Sequence, residues 1–518
     1  MTMAMVADGV ELGDQDAMNA WIKGFNSRSF EERGRVLGLS DDEPSAASGR
    51  GGRGGKSAPA LRLRPVVLAP EEELVEAARG AVLFQRIEKL VSFVGDGRKL
   101  TDRGNLKLAD GKALVELLGT DDEFDKQFGD QVFRTRSSAD LPGVHRTFRL
   151  ALASGFLERP DVRSVRPGPE VALLDDAPLE ALLVLFEMLT EVVGTTRLHD
   201  EPDRYGFGWY AEELDHQLPG MLSLLYSSPV PVEIDDIADL LWARLNDRYD
   251  LDRLDAHRLE MEEEFVNHDL RRAFDRLGEL GLVVKSGVVL RETSRYSTEE
   301  VGGTVTLTPL GTWTMHRLLS GTAEVPVGGA LASVSADELL RRVADLPDDV
   351  GALEVETWMA GHGDEAAALL VGALGAADET GRVVGFQALS LLGPSASKEV
   401  ARLERDPELS AYATVWQVDA GLCGLDELDA AGDPKRFVRL LYAVLTLWGP
   451  DAVAKWLVPV SGAGGVDAGL AAAWQVRLPE TETVLSVIGD IYPDKAVAKV
   501  ARKALFRHRS SGGAAGAT

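Results

Sequence analysis

Seven arginines fall within one short stretch, Arg134, Arg136, Arg146, Arg149, Arg159, Arg163 and Arg166, against only Asp140, Glu158 and Asp161. A guanidinium presents a planar fork of donors that fits phosphate oxygens, and phosphate contacts fix a protein on a nucleic-acid backbone. Arg146 and Arg149 share one face of a helical stretch running from about Leu141 to Leu157, and Arg159, Arg163 and Arg166 lie on the segment that follows. Together they could track a phosphate chain, each neutralised phosphate steepening the salt dependence. The same arginines could instead pair with the acids that the chain holds in excess. Both readings are open at this point.

Other chemistry is sparse. The 8 histidines form no H-E-x-x-H string, and the nearest grouping, His199, Asp200 and His216, reads as solvated loop. Cys423 is the single cysteine, which rules out an internal disulfide and a cysteine-based zinc site. No G-x-S-x-G elbow occurs. The string RGGRGGKS, Arg50 to Ser57, approaches a phosphate loop, but Arg50 stands where the first glycine is required, and no buried strand precedes it. Gly206 to Trp209 lacks the spacing of a dinucleotide fingerprint. Adjacent carboxylates such as Asp235 and Asp236 carry no information in a chain with 83 acids. These observations lead to an expectation of no cofactor, no metal and no catalytic set. An enzyme whose site is assembled from distant loops, with His199 and His216 as its histidines, stays as the third reading.

The elements that must position these residues follow from patterning. The 518 residues exceed what one hydrophobic core serves, so several domains are expected. A 45% hydrophobic content supports folding, and the net charge of −28 repels nucleic acid wherever bases are not locally concentrated. No apolar run approaches the ~18 residues of a membrane span. With one cysteine and no signal-like segment, the chain reads as cytoplasmic and free of membrane.

Residues 1–43 hold one short amphipathic candidate, Met18 to Phe25, and 44–70 read as a disordered Gly/Arg/Pro linker. Residues 71–177 begin with a long helical pattern from Glu71 to Val94, ended by Gly95-Asp96-Gly97. A helix from about Ala109, the 141–157 stretch, an Arg/Pro-rich piece and apolar Val171 to Leu174 follow. Residues 178–229 read as a helical connector. Within 230–320, helices from about Ile234 to Leu245 and Phe265 to Leu280 precede E-L-G-L-V (Glu279 to Val283) and V-T-L-T-P-L-G (Val305 to Gly311).

That ending resembles winged-helix domains of bacterial transcription regulators, best over Val230 to Leu319, and 71–177 has the same order of helices and ribbon. The string L-T-x-x-G recurs at Leu100 to Gly104, which suggests a duplicated module. The resemblance implies a third helix that reads DNA. In the second module that helix carries His268, Arg271, Arg272 and Arg276, but Glu262 to Glu264, Asp269, Asp275 and Glu279 crowd it, so a protein contact is expected there instead.

From 335 to 510 a period emerges. Asp378, Asp406, Asp433, Asp467 and Asp494 stand 28, 27, 34 and 27 residues apart. Three have a small residue seven places on, namely Gly385, Ala413 and Ala501, whereas Asp433 and Asp467 have Leu440 and Trp474. An Asp caps a helix, and small residues let stacked helices approach. The pattern resembles HEAT-like repeats, best at Asp494 to Leu505. Residues 511–518 read as a tail. The expected fold is therefore mainly α: tandem winged-helix-like modules followed by a C-terminal α-solenoid. Function is expected to be regulatory or scaffolding, with a protein partner on the repeats. The alternative is a DNA-binding transcription regulator that uses the basic first module.

Overall fold

The computed structural model describes residues 63–513, apart from 129–130, 197, 199–208, 229, 250, 252–254, 295–296, 322, 425–431 and 462–464. The Met18–Phe25 candidate, most of the 44–70 linker and the His199/Asp200 grouping lie outside the described residues. The protein is mainly helical, with a few small sheets. It divides into two compact units, one ending at Pro326 and the other beginning at Val327.

In the first unit, the pattern expected to form one helix from Glu71 to Val94 forms two, α1 (Glu71–Gly80) and α2 (Val82–Val94). Glu71, Glu72 and Glu73 favour the positive N-terminal end of α1. Gly80 weakens the helix, and buried Ala81 takes an extended conformation that ends α1 and opens α2. Next come β1 (Arg98–Lys99), α3 (Leu108–Leu118) and a hairpin, β2 (Lys126–Phe128) with β3 (Gln131–Phe133), which patterning did not reveal. They are followed by α4 (Pro142–Ala153), β4 (Leu157–Asp161) and β5 (Ser164–Pro167). The Arg/Pro-rich piece is thus the ribbon itself, while Val171 to Leu174 falls in short helical turns. All pairings are antiparallel, and the last strand sits in the middle, in the order β1-β5-β4.

After α5 (Pro178–Met188) the second half repeats this order: α6 (Trp209–Ser227), β6 (Val232–Glu233), α7 (Ile234–Tyr249) and α8 (Ala256–Glu279). Then come β7 (Val283–Ser286), the separate hairpin β8 (Val289–Ser294) with β9 (Ser297–Val301), and β10 (Thr304–Leu307). Again the last strand is central, as β6-β10-β7. Helix α8 starts more than two turns before the expected Phe265, because Asp255 caps it by accepting the Arg258 N–H at 3.0 Å. Thr308 caps α9 (Pro309–Leu319) in the same way, accepting the Gly311 N–H at 2.9 Å. The two L-T-x-x-G strings are not equivalent: Leu100 to Gly104 follows the first strand of its sheet, whereas Leu307 to Gly311 follows the last. Both halves share one hydrophobic core, running from Leu74 through Phe148 and Leu185 to Phe274 and Met315.

The second unit holds α10 (Ala336–Val343), α11 (Asp348–His362), α12 (Ala366–Leu374), α13 (Glu379–Leu392), α14 (Ser410–Asp419) and α15 (Pro434–Trp448). It continues with α16 (Pro450–Ser461), α17 (Gly465–Ala473), α18 (Thr481–Ile491) and α19 (Lys495–Gly513). Trp358, Phe386, Trp416 and Phe437 are fully buried in its core. The Asp residues of the period perform the expected local work unevenly. Asp378 accepts the Gly381 N–H at 2.8 Å, Asp433 those of Lys435 and Arg436, and Asp494 that of Ala496 at 2.7 Å. Asp406 bonds Glu408 and Leu409 just ahead of α14. Asp467 lies inside the first turn of α17 rather than before it. Gly385, Ala413 and Ala501 are all buried, and a Cβ at Gly385 would come within 2.6 Å of Leu374 Cδ2, so the missing side chain there makes room for a leucine of the neighbouring helix.

Candidate functional site

The seven arginines separate into three groups. Arg146 is drawn inside: its Nη2 donates to the Thr196 carbonyl at 2.7 Å, and burial pushes its pKa down to about 10. Arg276 and Arg272 of α8 add to that lowering, while Glu279 and Asp215 oppose it. From Gly143 to Ala153 no residue of α4 is exposed. The helix expected to lay Arg146 and Arg149 along phosphates is therefore covered, because α2, α3, β4 and α5 pack against it.

The surrounding polar residues show how that body is fastened. Arg86 of α2 donates to Glu279 of α8 at 2.9 Å, and to the carbonyls of Leu118 and Gly119 at the end of α3. Glu279 also receives Arg276 at 2.8 Å. Asp215 of α6 is buried and accepts both the N–H and the hydroxyl of Thr195. A buried charge is tolerated where hydrogen bonds satisfy it, and these charges bridge helices of both halves.

The second group lies on the ribbon. Arg163 pairs with Asp102 at 3.1 Å and Arg166 with Glu158 at 2.6 Å, both at the surface. Arg159 lies over Gly104, where a Cβ would meet its Nη1 at 2.6 Å, and its pKa is lowered by burial and by Arg149. Arg149 is half-buried. Arg134 and Arg136, the third group, are exposed on the segment leading from β3 to α4. In α8, Arg271 also turns inward, donating to Asn267, to the Gly302 carbonyl and to Asp235, whereas His268 and Arg272 stay exposed.

Among the described residues, no group of three or more His, Cys, Asp or Glu side chains is placed to hold a metal ion, and no helix is long and apolar enough to cross a membrane. Comparison with protein-family models, curated proteins and solved structures finds no significant match to this chain.

Two features escaped the sequence reading. An apolar groove of about 390 Å³ is lined by Leu74, Ala77, Gly80 and Ala81 of the first half and by Gly281 and Leu310 of the second. Its walls come from residues far apart in sequence, so no local pattern announces it. The other is the surface of α19, where six cations run from Lys495 to Arg509 with no acid among them. That imbalance was visible in the sequence, inside the same string whose alanines drew attention as a repeat.

Proposed function

We propose that the chain is a non-catalytic regulatory or scaffolding protein. Two winged-helix-like modules form one body, and a HEAT-like α-solenoid binds a protein partner. The repeated order of helix, strand, two helices and two strands, with the last strand central in each sheet, supports the winged-helix reading. The fusion of both halves around one core argues that these modules act as a structural body rather than as independent DNA readers. Aspartate caps and the seating of Leu374 against Gly385 support the solenoid reading.

The observation that carries the partner assignment is the placing of exposed apolar side chains. Leu391, Trp448 and Ile491 are all exposed at the C-terminal ends of α13, α15 and α18, and Leu422 just after α14. Exposed apolar side chains at or just past the C-terminal ends of these four helices offer a partner several apolar anchors. The test is cross-linking and affinity enrichment with the full-length protein and with a Leu391→Asp/Trp448→Asp/Ile491→Asp variant of unchanged Tm. A partner enriched by the parent and lost from the variant is expected. Identical profiles from both proteins refute the assignment.

A second reading, nucleic-acid contact by the first module, rests on Arg134, Arg136, Arg159 and Arg163, which remain at the surface. It predicts duplex-DNA binding that weakens steeply over ~50 to 200 mM salt and vanishes in an Arg134→Glu/Arg136→Glu/Arg163→Glu variant.

A further inference from the structure

Helix α19 is amphipathic in an unusual sense. Its inner face is alanine: Ala498, Ala501 and Ala504 are buried where the helix packs on α17 and α18. Small residues permit close approach, and at Gly489 of α18 a Cβ would fall 2.8 Å from Arg502 Cγ, so the stem of that arginine lies flat on the neighbouring helix. The outer face is cationic. Lys495, Lys499, Arg502, Lys503 and Arg507 are all exposed, and none has a hydrogen-bond or ion-pair partner among the described residues. Arg509, by contrast, is held by Glu482 at 2.5 Å.

The spacing makes this face a ladder. Lys495, Lys499, Lys503 and Arg507 succeed one another at four-residue intervals, so three consecutive like-charge pairs stand side by side. Such pairs destabilise a helix. None of these cations lies in the last turn, where the negative end of the helix dipole would favour it. In a chain with 83 acids, partners could readily have been placed alongside, yet the ladder is left uncompensated. Beside it, Phe506 is 72% exposed, the most exposed large apolar side chain among the described residues.

We propose that the outer face of α19 binds single-stranded nucleic acid, the cations taking successive phosphates and Phe506 stacking on a base. Successive rungs rise by ~6 Å along the helix, a spacing suited to a flexible phosphate chain. An exposed aromatic among unpaired cations is the combination that single-strand binders use. A lipid surface is a poorer match, because an interfacial helix needs a free apolar face, and here that face is spent on α17 and α18, leaving Phe506 alone. None of the apolar anchors of the proposed protein partner belongs to the ladder, although Ile491 lies four residues before Lys495.

The experiment is fluorescence anisotropy with the full-length protein and a labelled mixed-sequence single strand, as RNA and as DNA, over ~50 to 200 mM salt. If all five cations engage, log affinity falls with a slope of about −3.5 against log salt, roughly a hundredfold loss across that range. Phe506→Ala is expected to weaken binding about tenfold. Lys499→Gln/Lys503→Gln/Arg507→Gln should abolish it while holding or raising Tm, and Arg134→Glu/Arg136→Glu/Arg163→Glu should leave it intact. The proposal is overturned by absence of binding at the low-salt end, or by binding that the α19 variants do not alter. Preference for phosphatidylserine vesicles over the oligonucleotide overturns it too, and assigns the face to an anionic membrane.

Discussion

Arg146 and Asp215 grip neighbouring residues of one connection. Arg146, on α4, donates to the carbonyl of Thr196, and Asp215, on α6, accepts the N–H and hydroxyl of Thr195. Two helices from different halves of the first unit thereby fix two adjacent residues, Asp215 fully buried and Arg146 partly so. They are not equally satisfied. Asp215 accepts both polar hydrogens of Thr195, whereas Arg146 Nε has no partner and burial depresses the guanidinium pKa.

That asymmetry predicts unequal mutational costs. Asp215→Ala leaves the Thr195 donors buried without an acceptor and should cost about 3 kcal/mol. Arg146→Met trades a poorly satisfied cation for apolar volume and should cost about 1 kcal/mol or less. Because the two act on adjacent residues, the double variant should depart from additivity by about 1 kcal/mol. Urea unfolding of the four proteins measures all three quantities. An Arg146→Met cost equal to that of Asp215→Ala would show that the arginine fixes the connection as firmly as the aspartate, and would refute the asymmetry.

Two glycines give opposite expectations for the same substitution. A Cβ at Gly311 would stand 1.9 Å from the Leu282 carbonyl oxygen, a backbone atom that already accepts the Thr308 N–H at 3.0 Å. Neither α9 nor the start of β7 can yield without breaking that bond, so Gly311→Ala should destabilise by about 3 kcal/mol. Gly372 lies within α12, exposed, with nothing inside 4 Å of an added Cβ. There Gly372→Ala should stabilise by ~0.5 to 1 kcal/mol through lost unfolded-state entropy and better helix propensity. Differential scanning calorimetry should give shifts of opposite sign.

The helical character of the chain was legible because apolar residues recur at three- and four-residue steps. Local signals such as Leu307-Thr308-Pro309-Leu310-Gly311 placed a strand end and a capped helix correctly. What could not be read was tertiary. The duplicated order of the first unit lies in the strand arrangement, not in the recurring L-T-x-x-G string, and strand order is a non-local property. Arg146 and Arg149 share a helix face as expected, but which face meets solvent depends on tertiary packing, with α2, α3 and α5 lying against α4. The β2–β3 hairpin has strands of three residues each, too short for alternation to register. For α19 the signal was present and misweighted, since its alanines and its cations are interleaved in one string.

His316 on α9 supplies a pH prediction. Burial holds its pKa below the ordinary value, a backbone hydrogen bond with Val325 partly offsets this, and neighbouring Arg317 lowers it further. As pH falls from about 7, the unfolded chain takes up this proton before the folded one does, so stability declines below about pH 6.5. Above that range the group is neutral in both states and contributes no slope. The difference in urea midpoint between the parent and His316→Gln should therefore be constant at about pH 7 to 8 and should shrink toward pH 5. A difference that widens on acidification would mean that the folded state favours the charged imidazole, contrary to its surroundings.

Aspartate caps separate the periodic positions by geometry. Asp378 precedes α13 and accepts the Gly381 N–H at 2.8 Å, so Asp378→Ala leaves an orphan donor and should cost about 1 kcal/mol. Asp467 occupies the same place in the sequence period but sits inside the first turn of α17, exposed. Its only helix-stabilising contribution is the favourable sign of its charge near the N-terminus, which ionic screening weakens. Asp467→Ala should therefore cost about 0.3 kcal/mol at low salt and less at 1 M NaCl, whereas the Asp378→Ala loss should persist in salt because a short hydrogen bond is not screened away. Equal losses at both positions would mean that the period, rather than the cap geometry, decides where stability resides in these helices.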